Sequence, residues 1–508
     1  MREILFMAVD LGTSFIKTGV YDVPGNCLAQ ASEPVRDYRP EPGAFIQKGS
    51  ELFDSVLACV RDVTRQLGGR ASSVEAMVFS GQMSGFMGVD ANWEDITTWS
   101  CSLDTRYMPY ADRQMKEMKD DFLVTGGTNF PAMAPKYEWY KTEFPAQAKK
   151  IAKYLMISGY VIGKLGHLDI EDAVIDRSYI SWTGLADVGR GVWSDKICGA
   201  LGLDKKYLPR IVDCNCVCGK LAAEYAEILG MRPGIPLVAG AGDKVAGCLG
   251  AGNVESGRVV FEASSYGEVS CCVKDYRPDI TERRLDVLCS AVPGEFYVTH
   301  FAAGSGITLD WFVDNFYRRH DEDKKTAFAR IEKAIEGIPA GSRGLMAIGL
   351  FGGSSMPIDS ALRGLWMGHD WSHKPEHFYH ALLESFTYDF ALALESAGRL
   401  YPELDFSEVR VIGGGARSPV WIQMNADTSG KKYTTLELDD ASMRGAVILA
   451  GNAAGVFPDL KKTAGGFVKA GRTYEPREEE GKIHRKHLEY YKAALKEMRG
   501  FFLRLQQL

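Results

Sequence analysis

Asp243 is the residue of this sequence best placed for acid–base work, because of what surrounds it. It lies within 236–252, where an apolar β-like run, Ile235 to Ala239, gives way to a helical pattern of Val245, Ala246, Cys248 and Leu249. Gly240, Gly242 and Gly247 flank it and leave room for a ligand to reach the main chain. A carboxylate at such a strand-to-helix turn either faces a ligand or caps the following helix. A second acid, Asp10, opens the turn Asp10-Leu11-Gly12-Thr13-Ser14. Backbone N–H groups and two hydroxyls there could meet phosphate oxygens, with the acid facing a magnesium ion. Lys17 adds a positive charge on the strand that follows. Taken alone, the same residues also fit a polar hairpin turn.

Three more stretches carry chemistry of the same kind. Val74 to Phe79 reads as a strand leading into Ser80-Gly81-Gln82-Met83-Ser84-Gly85, a small polar turn at a strand end, where α/β proteins place ligand groups. Asp104-Thr105-Arg106 follows another short apolar run, and taken alone it reads first as an exposed ion pair. Near the C-terminal side, strand Val409 to Ile412 runs into Gly413-Gly414-Gly415-Ala416-Arg417-Ser418, where a flat ring or a phosphate can lie against bare main chain. Gly304-Ser305-Gly306 precedes a helix expected to begin near Leu309, and its amides could also meet a phosphate.

The elements that must hold these turns follow from periodicity. Residues 4–22 read as strand, turn, strand. Gly257 to Val269 repeats that outline, with Ser264 and Ser265 in the turn, which suggests an internal duplication whose second half starts near 250. Leu52, Phe53, Val56, Leu57, Val60 and Val63 mark an amphipathic helix, with Ser50 as its expected N-cap and Gly68-Gly69 at its end. Residues 107–230 are expected to be mostly helical. Longer helices are expected at about 376–398 and 478–507, the last a packing element.

Composition narrows the function class. A chain of 508 residues exceeds one ordinary core, so two or more domains are expected. A net charge of −7 argues against nucleic acid as a partner. No apolar run is long enough to span a membrane, and the N-terminal apolar run stops at Asp10, so a cytoplasmic location is expected. The 11 cysteines are odd in number and scattered, which disfavours a disulfide framework. Cys214, Cys216 and Cys218 alternate along one strand face without zinc-like partners and read as a thiol-lined buried strand. His369, His373, His377 and His380 read as solvated or capping.

The order of these motifs resembles the FGGY family of carbohydrate kinases, over nearly the whole chain from Asp10 to about Gly455. The resemblance implies an α/β protein of two domains on the actin/hexokinase-like ATPase fold, duplicated ribonuclease H-like units with the active site in the cleft between them. The domains would be 1–250, on the sugar side, and 251–508, on the nucleotide side. Asp10 to Ser14 is similar to the family's first phosphate loop. Ser80 to Gly85 and Asp104 to Arg106 resemble its sugar-contacting segments, and Gly242-Asp243 its catalytic aspartate. Ala263-Ser264-Ser265 stands where the second phosphate loop usually reads Gly-Thr-Ser. Gly413 to Ser418, followed by Trp421, Gln423, Ala426, Asp427 and Gly430, resembles the adenosine segment. The xylulokinase-like branch fits best. Departures lie at Ser84, where xylulokinases usually carry His; at Ser102-Leu103, usually Trp-Asn or Trp-Gln; and at Gly353 to Pro357. The family signatures around Lys136 to Trp139 and Gly364 to Glu384 match in part.

The resemblance implies an ATP- and Mg²⁺-dependent transfer of the γ-phosphoryl group to a small sugar, with a ketopentose such as xylulose first. Another ketose, a polyol such as glycerol or erythritol, or an aldonate such as gluconate come next. Asp243 would be the general base and Asp10 would hold Mg²⁺, through water. Thr13, Ser14, Lys17, Ser264, Ser265 and Gly306 would steady phosphates; Gly414, Gly415, Ala416 and Ser418 the adenosine. Gln82, Met83, Ser84, Asp104, Arg106 and Asp243 would line the sugar site. Dimers are common in the family, so a homodimer is an expected assembly, although no stretch of the sequence marks an interface. An actin-fold ATPase and a non-catalytic sugar-binding regulator are the rival classes.

Overall fold

The computed structural model describes residues 3–302 and 304–506, and two large sheets organise it. The first contains β1 (Leu5–Leu11), β2 (Phe15–Asp22), β3 (Cys27–Pro34), β4 (Val74–Gly81), β5 (Val217–Lys220) and β6 (Pro236–Gly242). Their order is β5-β6-β4-β1-β2-β3. β1, β4 and β6 are mutually parallel, and the flanking strands are antiparallel to their neighbours. The central strands read as unbroken apolar runs, Leu5 to Val9 and Ala76 to Phe79, because both faces of a central parallel strand are covered.

The second sheet contains β7 (Val259–Glu262), β8 (Gly267–Val273), β9 (Asp286–Cys289), β10 (Phe296–Ala302), β11 (Glu408–Ile412), β12 (Lys432–Leu436) and β13 (Ala470–Tyr474). Its order is β9-β10-β8-β7-β11-β12-β13. The meander β7-β8-β10 repeats β1-β2-β3, and parallel β11 and β12 repeat β4 and β6. β13 closes the edge antiparallel, as β5 does, but follows its partner in the chain where β5 precedes it. The duplication hinted at by the two hairpins thus extends across both sheets.

The helices that matter for the site are α1 (Gly49–Leu67), α2 (Met133–Glu143), α3 (Asp243–Gly250), α4 (Ser305–Phe312), α5 (Lys324–Ile335), α6 (Pro375–Leu400), α7 (Pro419–Ser429), α8 (Ala441–Ala453) and α9 (Glu478–Leu505). α8 comes late in the chain yet packs against β1, β4 and β6. Its Met443, Ala446, Val447, Ile448 and Leu449 join the core under the first sheet. It crosses α3 at glycines: a Cβ on Gly445 would lie 1.9 Å from the Ala246 carbonyl oxygen, and one on Gly250 would lie 2.0 Å from that of Ala441. Only hydrogen atoms let the two backbones come this close.

Several sequence expectations change. Ser50 does not cap α1: Lys48 is the N-cap residue, and the Ser50 N–H instead donates to Asp95 Oδ2 at 2.8 Å, a partner far along the chain. Residues 107–230 are mixed, with short strands at Val174–Asp176 and Arg210–Val212 pairing in parallel between helices. The helix expected near Leu309 begins at Ser305, directly after the glycine turn. His377 caps α6, its Nδ1 accepting the Lys374 N–H at 3.1 Å, whereas His380 is buried against Ser342 beside Glu384. Cys214 is fully buried, but Cys216 and Cys218 are only half-buried, because that edge of β5 is open. No helix among the described residues is long and apolar enough to cross a membrane.

Candidate active site

The carboxyl ends of the parallel strands of the two sheets meet. In the first, β1, β4 and β6 run side by side in register, Asp10 opposite Ser80 and Ser80 opposite Ala241, so Asp10, Gln82 and Asp243 lie at one sheet edge. In the second, parallel β7, β11 and β12 end at Ser264, Gly413 and the loop to Asp440. The carboxyl ends of parallel strands are where open α/β sheets hold ligands. Three contacts tie the edges together. Lys244 Nζ lies 2.8 Å from Glu262, Ser442 Oγ donates to the Asp243 carbonyl at 2.9 Å, and Lys17 Nζ lies 3.8 Å from Asp440.

Asp243 is the first residue of α3, with Gly242 as N-cap, and its Oδ1 accepts the Lys244 N–H at 2.8 Å. Loss of water around it raises its pKa to about 6; the Lys244 charge opposes the rise, while Glu262 and Asp440 add to it. Asp10 is raised to about 7, first by desolvation, then by the charges of Asp243 and Asp440, with Lys17 pulling the other way. Two half-buried acids that repel each other leave a deficit of positive charge. A divalent cation would fill it, and Mg²⁺ characteristically takes one or two carboxylates plus substrate phosphates rather than an all-protein cage. Among the described residues no group of three or more His, Cys, Asp or Glu is arranged to hold a metal ion. The donor set fits Mg²⁺ with Asp10 as its protein anchor.

Were Asp243 the general base of a reaction here, its pKa of about 6 would set the acid side of the pH profile. Below about pH 6 the Asp243 carboxyl is protonated and cannot accept a proton, so kcat/KM should fall about tenfold per pH unit. A flat profile from pH 7 down to pH 5 (roughly one unit either side of that value) would exclude a base with this pKa.

Gln82 follows β4 directly, and its N–H donates to the Leu11 carbonyl at 3.1 Å. Its Oε1 accepts from Thr13 Oγ1 at 3.3 Å, while its buried Nε2 has no hydrogen-bond partner among the described residues. An unpaired buried amide is a donor waiting for an acceptor, as a polyol hydroxyl would supply. Met83 is buried against Gly242: a Cβ there would meet the Met83 side chain at 2.4 Å. Ser84 is half-buried, next to Gly85, on which the Trp99 ring closes. Asp104 is fully buried, and Arg106 grips both its oxygens, Nε at 2.9 Å and Nη2 at 2.8 Å, while stacking 5.0 Å from the Trp139 ring. The pair expected as a surface ion bridge is therefore a fixed fork. Ser14 and Lys17 stand exposed beyond Thr13 on the same hairpin.

The second-sheet residues line a cavity of about 840 Å³. Ser264 and Ser265 form one wall; the Gly306 N–H donates to the Ser265 carbonyl at 3.1 Å, and Gly306 packs so closely that a Cβ would lie 2.6 Å from the Ser264 oxygen. Gly414, Gly415 and Ser418 form another wall, pinned where the Gly415 N–H donates to the Ala263 carbonyl at 2.8 Å. Ala416 is the exception: it packs on the second core, and Arg417 lines the cavity beside it. Phe328 of α5 and Tyr379 of α6 supply an aromatic lining.

Sequence reasoning missed several groups. Lys136 of α2 is fully buried and donates to the Ser100 and Cys101 carbonyls, each at 2.7 Å, which pins the strand before Asp104; burial lowers its pKa to about 8. Lys244, Glu262, Asp440 and Ser442 are also new to the site. The only trace of them in the sequence was adjacency to motifs already marked, Lys244 to Asp243 and Glu262 to Ala263.

Sequence models of the FGGY family of carbohydrate kinases match twice, the N-terminal domain over residues 5–250 and the C-terminal domain over 270–454. A xylulose kinase of Bacillus subtilis (strain 168) is 25% identical over 493 residues, 96% of this chain and 95% of that protein. A gluconokinase of Bacillus licheniformis is 25% identical over 489 residues, 94% of this chain and 93% of its own length. Among solved structures, the gluconate kinase of Lactobacillus acidophilus superposes with a TM-score of 0.89 at 20% identity, covering 99% of this chain and all of that one.

Proposed function

Because the chain belongs to the FGGY family of carbohydrate kinases, we propose that it transfers the γ-phosphoryl group of ATP to a hydroxyl of a small sugar, with a ketopentose such as xylulose as the first acceptor. The observation that carries this reading is the position of Asp243, a half-buried carboxylate with a raised pKa at a sheet edge shared with Gln82. Glu262, two residues before the Ser264–Ser265 wall of the cavity, reaches Lys244 at 2.8 Å.

Asp243 accepts the proton of the attacking hydroxyl as that oxygen bonds to the γ-phosphorus and the bond from the γ-phosphorus to the β–γ bridging oxygen breaks, releasing ADP. Gln82 Nε2, Ser84 and the Asp104–Arg106 fork orient the sugar on the 1–250 side. Ser264 and Ser265, held against the close-packed Gly306, steady phosphate oxygens on the 251–508 side, joined by Thr13, Ser14 and Lys17 from the first hairpin. Mg²⁺ held at Asp10 would neutralise charge on the β- and γ-phosphates. Phosphoryl transfer asks chiefly for positioning and charge stabilisation, which is what these residues offer. The enzyme is expected to work in the cytoplasm.

An aldonate is the second reading, favoured because a gluconokinase matches at the same identity as the xylulose kinase. ADP release with Mg-ATP across pentuloses, hexuloses, polyols and aldonates decides between them. Release stimulated by xylulose above all others supports the first reading; stimulation by gluconate alone replaces it with the second. Ser84 is expected to govern this choice more than the rate: Ser84→His should change the ranking of acceptors. An unchanged ranking would remove Ser84 from the sugar site.

A further inference from the structure

The 840 Å³ cavity has a polarity that runs along α5. Lys324 and Lys325, Phe328 and Ala329, and Glu332 recur at helical spacing and line it, so the stripe covers about 12 Å at 1.5 Å per residue. Its basic end lies beside α4, where Lys324 Nζ is 3.0 Å from Asp310, one turn beyond Gly306. Its acidic end lies at Ser418, whose Oγ donates to Glu332 Oε2 at 2.7 Å. The Ser418 oxygen also accepts the Trp421 N–H at 3.2 Å. A hydroxyl has a single proton, and Ser418 has spent it on Glu332. Burial pushes the Tyr379 phenol up, and the charge of Glu332 adds to the rise. At Glu332 this end of the cavity offers a ligand a carboxylate acceptor, while Arg417 lines the same cavity as a donor.

We propose that Glu332 selects the nucleotide's base, its carboxylate accepting an N–H from the 6-amino group of adenine. The inference rests on the reading of this cavity as the nucleotide site. With phosphates at Ser264, Ser265 and Gly306, the ribose and base run along Phe328 and Ala329, and the base edge reaches Glu332. A 6-keto base would set an oxygen against the carboxylate and lose the bond, because two acceptors cannot share a hydrogen.

Equilibrium binding to the full-length protein tests this without knowledge of the acceptor sugar. The ligands are Mg-ADP, the diphosphate of purine riboside, which lacks only the amino group, and Mg-GDP. The wild-type protein should bind ADP about tenfold or more tighter than the purine riboside nucleotide, the worth of one hydrogen bond to a charged group. Glu332→Ala should bring that ratio near one, and Glu332→Gln, which keeps a carbonyl acceptor, should retain part of it. A wild-type ratio near one, a preference for GDP, or an unchanged ratio in Glu332→Ala would each overturn the inference. The wild-type comparison decides even if a variant does not fold. Failure of the wild-type protein to bind any nucleotide would instead overturn the nucleotide reading of the cavity.

Discussion

Asp243→Asn is expected to cut turnover by at least about 10²-fold while sugar affinity stays close to that of the wild type. Asparagine has the same shape and keeps an oxygen to accept the Lys244 N–H now bonded at 2.8 Å, so the start of α3 should hold its form. What it loses is the capacity to take a proton. That capacity matters only as the hydroxyl attacks, so kcat and kcat/KM should fall together with little change in acceptor binding. Steady-state kinetics beside acceptor binding by calorimetry checks it. Near-normal turnover would remove Asp243 as the base, and a matching loss of sugar affinity would recast it as a binding residue.

Gly445→Val is expected to destabilise the protein by at least about 3 kcal/mol. The first added carbon would lie 1.9 Å from the Ala246 carbonyl oxygen and 2.7 Å from its carbon, so α8 must move off α3. Moving it disturbs Met443, Val447 and Leu449 in the core beneath β1, β4 and β6. It also draws away Ser442, which bonds the Asp243 carbonyl, so activity should fall with stability. Gly465→Ala is the control: a Cβ there meets nothing within 4 Å, and its effect should be small. Thermal unfolding of the two variants side by side gives the answer. Equal melting temperatures would mean that the crossing is looser than described.

Much of this architecture could be read from the chain before any coordinates. Turns that combine glycine with a hydroxyl or a carboxylate stand out because few residues tolerate bare main chain beside a ligand, and Asp10, Ser264, Gly306 and Gly414 were all visible this way. Apolar runs such as Leu5 to Val9 marked the buried parallel strands for an equally local reason. What was hidden depends on partners far apart in the sequence. The bond between Ser442 and Asp243 spans 199 residues, and no local pattern announces it. Lys136 stood only in a partly matching signature, and its role as a buried donor came with the fold that set it beneath the Ser100 and Cys101 carbonyls. Ser50 had the right chemistry for a cap, but Asp95 reached the same helix end from outside. His380 resembled a surface residue because the loop holding Ser342 covers it only in the folded chain.

The central claim is transfer of a phosphoryl group to a sugar, so the most direct measurement follows the phosphorus itself. Wild-type protein is mixed with γ-labelled Mg-ATP and the acceptor that most stimulates ADP release, and the products are separated after a single turnover. Label recovered on the sugar as a phosphate ester, and absent with Asp243→Asn on the same time scale, is the result expected. Label recovered only as inorganic phosphate, whichever acceptor is present, would contradict the account and make the protein an ATPase on a kinase fold.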